Sequence, residues 1–252
     1  MTDPKNVESA IRKETALILT ETPSNPQLKI ADLEAIASIG KKHSILTAAD
    51  NTWATPFHTR PLQLGIDLVI HSSTKYFGGH SDILSGMVVA RAGLEISARI
   101  RDYQAVGGAV PSPFECWLLV RSIATMPLRV RQQSASAAVI ASALASHPKI
   151  SKVYYPGLVS HTNHEVAARQ MSNGFGGMLS VLVKGGKTEA LAMTGKLQIF
   201  RHATSLGGVE SLIEHRLTAE GDHPKSPDNL LRISIGVEDT EDLLSDLLNG
   251  LS

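Results

Sequence analysis

The chain is nearly free of cysteine, has no excess of either charge and contains no long apolar run, and each absence removes a class of protein. Cys116 is the one cysteine, so no internal disulfide can form and a reducing compartment, the cytoplasm, is expected. Lysine plus arginine number 24, as do aspartate plus glutamate, so no net field draws the chain onto nucleic acid or an acidic membrane surface. Small neutral or zwitterionic partners are expected instead. No apolar stretch approaches membrane-spanning length, and Met1 to Arg12 is too polar for a secretory signal, so neither a membrane nor export is expected. Internal repeats, heptads and low-complexity segments are also missing.

What the chain does have is 252 residues, enough for two lobes with separate apolar cores. The first part alternates short apolar runs with amphipathic stretches, the rhythm of parallel strands crossed by helices. Strands are expected at Leu17 to Thr20, Ile45 to Ala49, Leu68 to His71 and Met87 to Ala90. Ile30, Leu33, Ile36 and Ala37 recur at helical spacing, with Gly40 as the expected C-cap. Past Gly107 and Gly108 the pattern becomes helical, over Pro113 to Met126 and Leu128 to Ser146. Strands at Val153 to Tyr155, Met178 to Val183 and Leu231 to Ile235 then alternate with helices near His164 to Met171, Glu189 to Leu197 and Glu241 to Leu248, which predicts an α+β layer. Thr218 to Asn229, polar and with two prolines, is the expected loop.

Three strand ends carry chemistry. In His71-Ser-Ser-Thr-Lys-Tyr-Phe-Gly-Gly-His80, Lys75 is an amine that can condense with an aldehyde cofactor, while Ser72 and Thr74 offer hydroxyls to a phosphate. Taken alone, such a lysine is a solvated strand-end residue. In Ala49-Asp-Asn-Thr-Trp-Ala-Thr-Pro56, Asp50 follows another apolar strand. The carboxyl ends of parallel strands converge on one crevice, so Asp50 and Lys75 can share a site. A carboxylate there favours a protonated ring nitrogen by charge pairing, although Asp-Asn is also an ordinary turn. In Glu21-Thr-Pro-Ser-Asn-Pro26, Asn25 brings a side-chain amide to a third strand end, again with a turn as the plain reading.

Together and in this order, these three runs resemble the Cys/Met-metabolism (trans-sulfuration) family of pyridoxal-phosphate enzymes. The resemblance covers almost the whole chain, through Pro61-Leu-Gln-Leu-Gly65, Ile123 to Arg129, Val153 to Leu158, Gly174 to Met178, Ser205-Leu-Gly-Gly-Val-Glu-Ser211 and Leu231 to Asp239. It implies an α/β chain of the aspartate aminotransferase-like fold type I. Residues 1–122 would be a partial large domain with a mostly parallel sheet, and residues 123–252 an α+β carboxy-terminal domain.

The resemblance further implies pyridoxal 5'-phosphate as cofactor, carried by Lys75, with Asp50 at its ring nitrogen, Asn25 beside its phenolic oxygen, and Ser72 and Thr74 at its phosphate. Arg232 and Ser205 would receive the carboxylate of a small amino-acid substrate, a role that suits the planar guanidinium fork. The implied chemistry is β- or γ-elimination, or γ-replacement, on sulfur-containing or O-acylated amino acids, as in cystathionine γ-synthases and lyases. Thr204 and Gly208-Val209 lean towards synthases or γ-type members. An aminotransferase of the same fold is the weaker alternative.

Relatives carry an amino-terminal region before the segment matching Glu21 to Pro26. The expectation is therefore a homo-oligomer, or an assembly with a chain supplying that region; the alternative is a truncated, non-catalytic homologue that joins full-length relatives. Arg216 stands where proline is frequent, and is expected to touch neither Lys75 nor Asp50. No metal site is expected, since His161 and His164 lack a third ligand nearby. Cys116 is expected to be a packed helix residue.

Overall fold

The computed structural model describes residues 1–222 and 224–252. Its elements run, in order, α1 (Pro4–Ser9), β1 (Leu17–Glu21), α2 (Leu33–His43), β2 (Leu46–Asp50), α3 (Thr55–His58), a 3-10 turn (Pro61–Leu64), β3 (Leu68–Ser72) and β4 (Gly86–Ala90). Then follow α4 (Ile96–Gly107), α5 (Pro113–Ile123), α6 (Met126–Ala145), β5 (Ile150–Tyr154), α7 (His164–Gln170) and β6 (Met178–Val183). The remainder is α8 (Lys187–Thr194), β7 (Arg201–His202), β8 (Leu212–His215), α9 (Arg216–Ala219), β9 (Leu230–Ser234) and α10 (Thr240–Leu251).

Two sheets organise these elements. The first has the order β1-β2-β3-β4, with β1, β2 and β3 parallel and β4 antiparallel at the edge. Its strands read as apolar runs because α2 covers one face: Leu33, Ile36 and Ile39 pack with Ile18, Ala49 and Ile66. The Asp32 carboxylate accepts from the Ala35 amide and starts α2, as an N-cap carboxylate does. The second sheet has the order β5-β6-β9-β8-β7, antiparallel apart from β7 on β8. Central β6 and β9 turn Leu179, Val181, Leu231 and Ile233 to the core and place Ser180, Arg232 and Ser234 on the opposite face; α10 closes the core with Leu243, Leu247 and Leu251, four residues apart on one stripe.

A third apolar cluster joins the two units. Leu28, Trp53, Tyr76 and Phe77 pack on Met126, Val130, Met178 and Leu206. Arg129 of α6 reinforces this junction, donating to the carbonyls of Tyr76, Phe77 and Ser122. The backbone that follows Lys75 is thereby tied to the carboxy-terminal half. The division expected at residue 122 falls in the last turn of α5.

Several sequence expectations need correction. Gly40 does not cap α2; it lies inside the helix, where a Cβ would collide with the Thr47 side chain and approach the Ile45 carbonyl at 2.8 Å. The cap is Ser44, in the left-handed region at φ 54°. Helix α4 has a sequence signal too weak to find, and none of its residues is buried. Cys116 is exposed, because α5 buries only Ser122 and leaves Phe114 and Trp117 in solvent. The loop expected over Thr218 to Asn229 begins inside α9; its residue His223 lies outside the described residues. Among the described residues, no helix is long and apolar enough to cross a membrane.

Candidate active site

Lys75 follows β3 on a turn in which its amide donates to the Ser72 carbonyl. Its ammonium donates to Ser205 Oγ at 3.0 Å, across 130 residues of sequence. Burial lowers its pKa, and the charge of Arg232 pushes in the same direction while Glu214 opposes it. A lysine held in this way loses its proton more readily than one in solvent.

Ser205 sits between β7 and β8 with φ 85°, a left-handed backbone that a residue with a Cβ adopts at some cost. That conformation turns its hydroxyl to Lys75 and its carbonyl to Arg232, whose Nη2 donates to it at 3.1 Å. Arg232 projects from β9 and is 5% exposed. Its Nη1 donates to Asn25 Oδ1 at 3.1 Å, and its Nη2 meets Glu214 Oε2 at 2.6 Å. Four residues named from sequence, Lys75, Ser205, Arg232 and Asn25, thus form one hydrogen-bonded line.

Asp50 ends β2 beside Glu21 of β1 and Ile70 of β3. One of its oxygens accepts from the Thr52 amide at 2.9 Å, which is the turn bond of the plain reading. Its charge also reaches neighbours. Burial raises the Glu21 pKa and Asp50 adds to the rise, while His71, driven down to about 4 by burial, is partly offset by Asp50. A cavity of about 600 Å³ lined by Thr20, Glu21, Ser24, Asp50 and Ile70 opens here, and Lys75 is not among its walls. No hydrogen bond or ion pair joins Lys75 to Asp50 among the described residues.

The two hydroxyls differ. The Ser72 amide donates to Thr52 Oγ1 at 2.8 Å, and the residue is half-buried. Thr74 Oγ1 donates to the Ser85 carbonyl and accepts from the Ser85 amide, so its hydroxyl is engaged within the loop. Glu214 is the site residue that sequence reasoning missed. A charged residue in the run Leu212-Ile-Glu-His215 carries no pattern that distinguishes a buried ion pair from a solvated face.

The donor set suits a phosphorylated aldehyde. Lys75 supplies an amine with a depressed pKa, and Asp50 a carboxylate at a neighbouring strand end. Thr20 Oγ1, His71 Nδ1 and Ser73 Oγ are buried polar atoms without a partner in the structure, and buried polar groups are rarely left so.

Comparison with known proteins agrees with this chemistry. The chain is 45% identical to a cystathionine gamma-synthase of Mycobacterium leprae, across 100% of this chain and 66% of the relative. It is 41% identical to a cystathionine beta-lyase of Coxiella burnetii, across 98% of this chain and 65% of the relative. A crystal structure of metB from Corynebacterium glutamicum superposes with a TM-score of 0.95 at 42% identity, over 99% of this chain and 66% of that one. The chain therefore spans about two thirds of the length of these relatives. The fold is that of the pyridoxal-phosphate-dependent cystathionine enzymes, and the family model described as Cys/Met metabolism PLP-dependent enzyme matches residues 1–252: the chain belongs to that family.

Proposed function

We propose that this chain carries the catalytic lysine and the substrate-carboxylate site of a pyridoxal-phosphate trans-sulfuration enzyme. The substrate class is sulfur-containing or O-acylated amino acids, and the reaction β- or γ-elimination or γ-replacement. The observation that carries the reading is the Lys75–Ser205–Arg232 line, which sets a deprotonatable amine one residue from a buried guanidinium. The electron sink for charge left at the substrate's α carbon comes from the cofactor when it is bound.

Lys75 would hold the cofactor covalently and, once released, move the α proton; its depressed pKa supports the base role. Asp50 would face the ring nitrogen and Asn25 the phenolic oxygen. Ser72 would donate to the phosphate, and Thr74 would do so by giving up its bond to the Ser85 carbonyl. Arg232 would take the substrate carboxylate, with Ser205 beside it. Thr204 and Gly208-Val209 favour synthase or γ-type chemistry over β-elimination. The division at residues 122 and 123, the cytoplasm, and a homo-oligomer or an assembly with a chain supplying the rest of the sheet complete this reading.

A second reading, a non-catalytic homologue that associates with full-length relatives, is favoured by one observation. Leu17, Leu19 and Val88 leave an apolar face of the first sheet in solvent, where another polypeptide would pack. Adding pyridoxal phosphate to the purified chain separates the two. The enzyme reading expects a visible absorption band that Lys75→Ala removes, with turnover of cystathionine or O-acyl-homoserine. A band without turnover indicates a missing partner, and the absence of any band supports the non-catalytic homologue.

A further inference from the structure

The carboxylate site has a second arginine behind it. Glu214 is 3% exposed and is shared: Oε2 lies 2.6 Å from Arg232 Nη2, and Oε1 lies 2.7 Å from Arg216 Nη1. Arg216 is anchored from its far side, its Nε being 3.3 Å from Glu220 Oε1. Glu220 is itself fixed by Ser226 Oγ and by the amides of Lys225 and Ser226.

An isolated arginine and carboxylate favour a two-point fork, with both oxygens on one guanidinium. Here Arg232 receives one oxygen of Glu214 because Arg216 holds the other. The consequence lies in the donor count. A guanidinium has five N–H groups; those of Arg232 reach Asn25, Ser205 and Glu214 once each, and two remain, the Nε–H and one Nη1–H, either of which can take one oxygen of an incoming anion. Were Arg216 absent, Oε1 would be a buried charged oxygen without a partner, which is costly. The guanidinium already in contact is Arg232, and closing the fork on it would use a donor the anion needs.

We infer that Arg216 is a positioning residue that holds Glu214 open, so that Arg232 keeps two donors for a small carboxylate. The inference rests on the reading of Arg232 as the carboxylate site, and the test separates the two. Arginine labelled with 13C and 15N is incorporated into the full chain without added cofactor, the Arg232 guanidinium resonance is assigned by its loss in Arg232→Lys, and acetate is titrated. Arg216→Gln is expected to weaken acetate binding at that resonance about tenfold, the scale of one charge-assisted hydrogen bond. Arg216→Lys, which keeps one cationic donor on Oε1, should restore it to within about twofold. In a Glu214→Gln background, Arg216→Gln should have no further effect, which a merely structural role for Arg216 does not predict.

If acetate leaves Arg232 unmoved in the parent chain, the carboxylate-site reading fails and this inference with it. If acetate binds with equal strength in the parent and in Arg216→Gln, the inference alone is overturned. Thermal melts accompany each variant. Should Arg216→Gln not fold, Arg216→Lys carries the test, since loss of acetate binding in that folded variant contradicts the single-oxygen mechanism.

Discussion

The two sheets solve the burial problem to different extents. The carboxy-terminal sheet is closed by α6, α8 and α10, and Leu179, Val181, Ile213, Leu231 and Ile233 are each fully buried. The amino-terminal sheet is closed on one face by α2, while Leu19 on its other face is 52% exposed and Val88 48%. A sheet of parallel strands is ordinarily covered on both sides. The first half of the chain thus holds the strand ends that carry Asp50 and Lys75 with one face of its sheet open, and is tied to the second half through the junction cluster and Arg129.

That contrast can be broken by mutation. Leu231→Ala, in the closed core, is expected to lower unfolding free energy by about 3–5 kcal/mol. Leu19→Ser, on the open face, should change it by less than about 0.5 kcal/mol. Denaturant titration of the two variants measures both. A large loss from Leu19→Ser would mean that the open face is covered in solution, and the comparison would then fail.

A smaller effect sharpens the same contrast through pH. His71 of β3 is 4% exposed, and burial, partly offset by Asp50, drives its pKa from 6.5 to about 4. The unfolded chain therefore takes up a proton between those values that the folded chain refuses. Stability present above about pH 6.5 falls as pH drops towards 4, by at most about 3 kcal/mol from this residue. The stability difference between the parent chain and His71→Gln should accordingly change between pH 7 and pH 4.5. Parallel profiles would show that the first sheet does not keep this imidazole neutral.

Much of the fold is legible in the sequence where burial is complete. Met178 to Val183 forms the expected strand over its full length, since a six-residue run with a single polar residue, Ser180, is too short for an ordinary helix and suits a sheet interior. Legibility fails where tertiary packing decides. Gly40 resembles a C-cap, yet the close approach of Thr47 requires it within the helix. Cys116 and its apolar neighbours read as core, but burial depends on what lies above α5, which local sequence does not encode. The candidate site residues are legible as motifs; the convergence of Lys75, Ser205, Arg232 and Asn25 depends on strand ends and on the backbone of Ser205. Glu214 and its link to Arg232 are illegible, because an ion pair between residues 214 and 232 leaves no trace in local spacing.

The most direct test of the central claim is to load the chain with pyridoxal phosphate, reduce it with borohydride and map the modified peptide. The account predicts one stable adduct, on Lys75, lost in Lys75→Ala and formed at a pH below that needed by solvent-exposed lysines. Adducts spread over surface lysines, or centred on another residue with Lys75 unmodified, would contradict it.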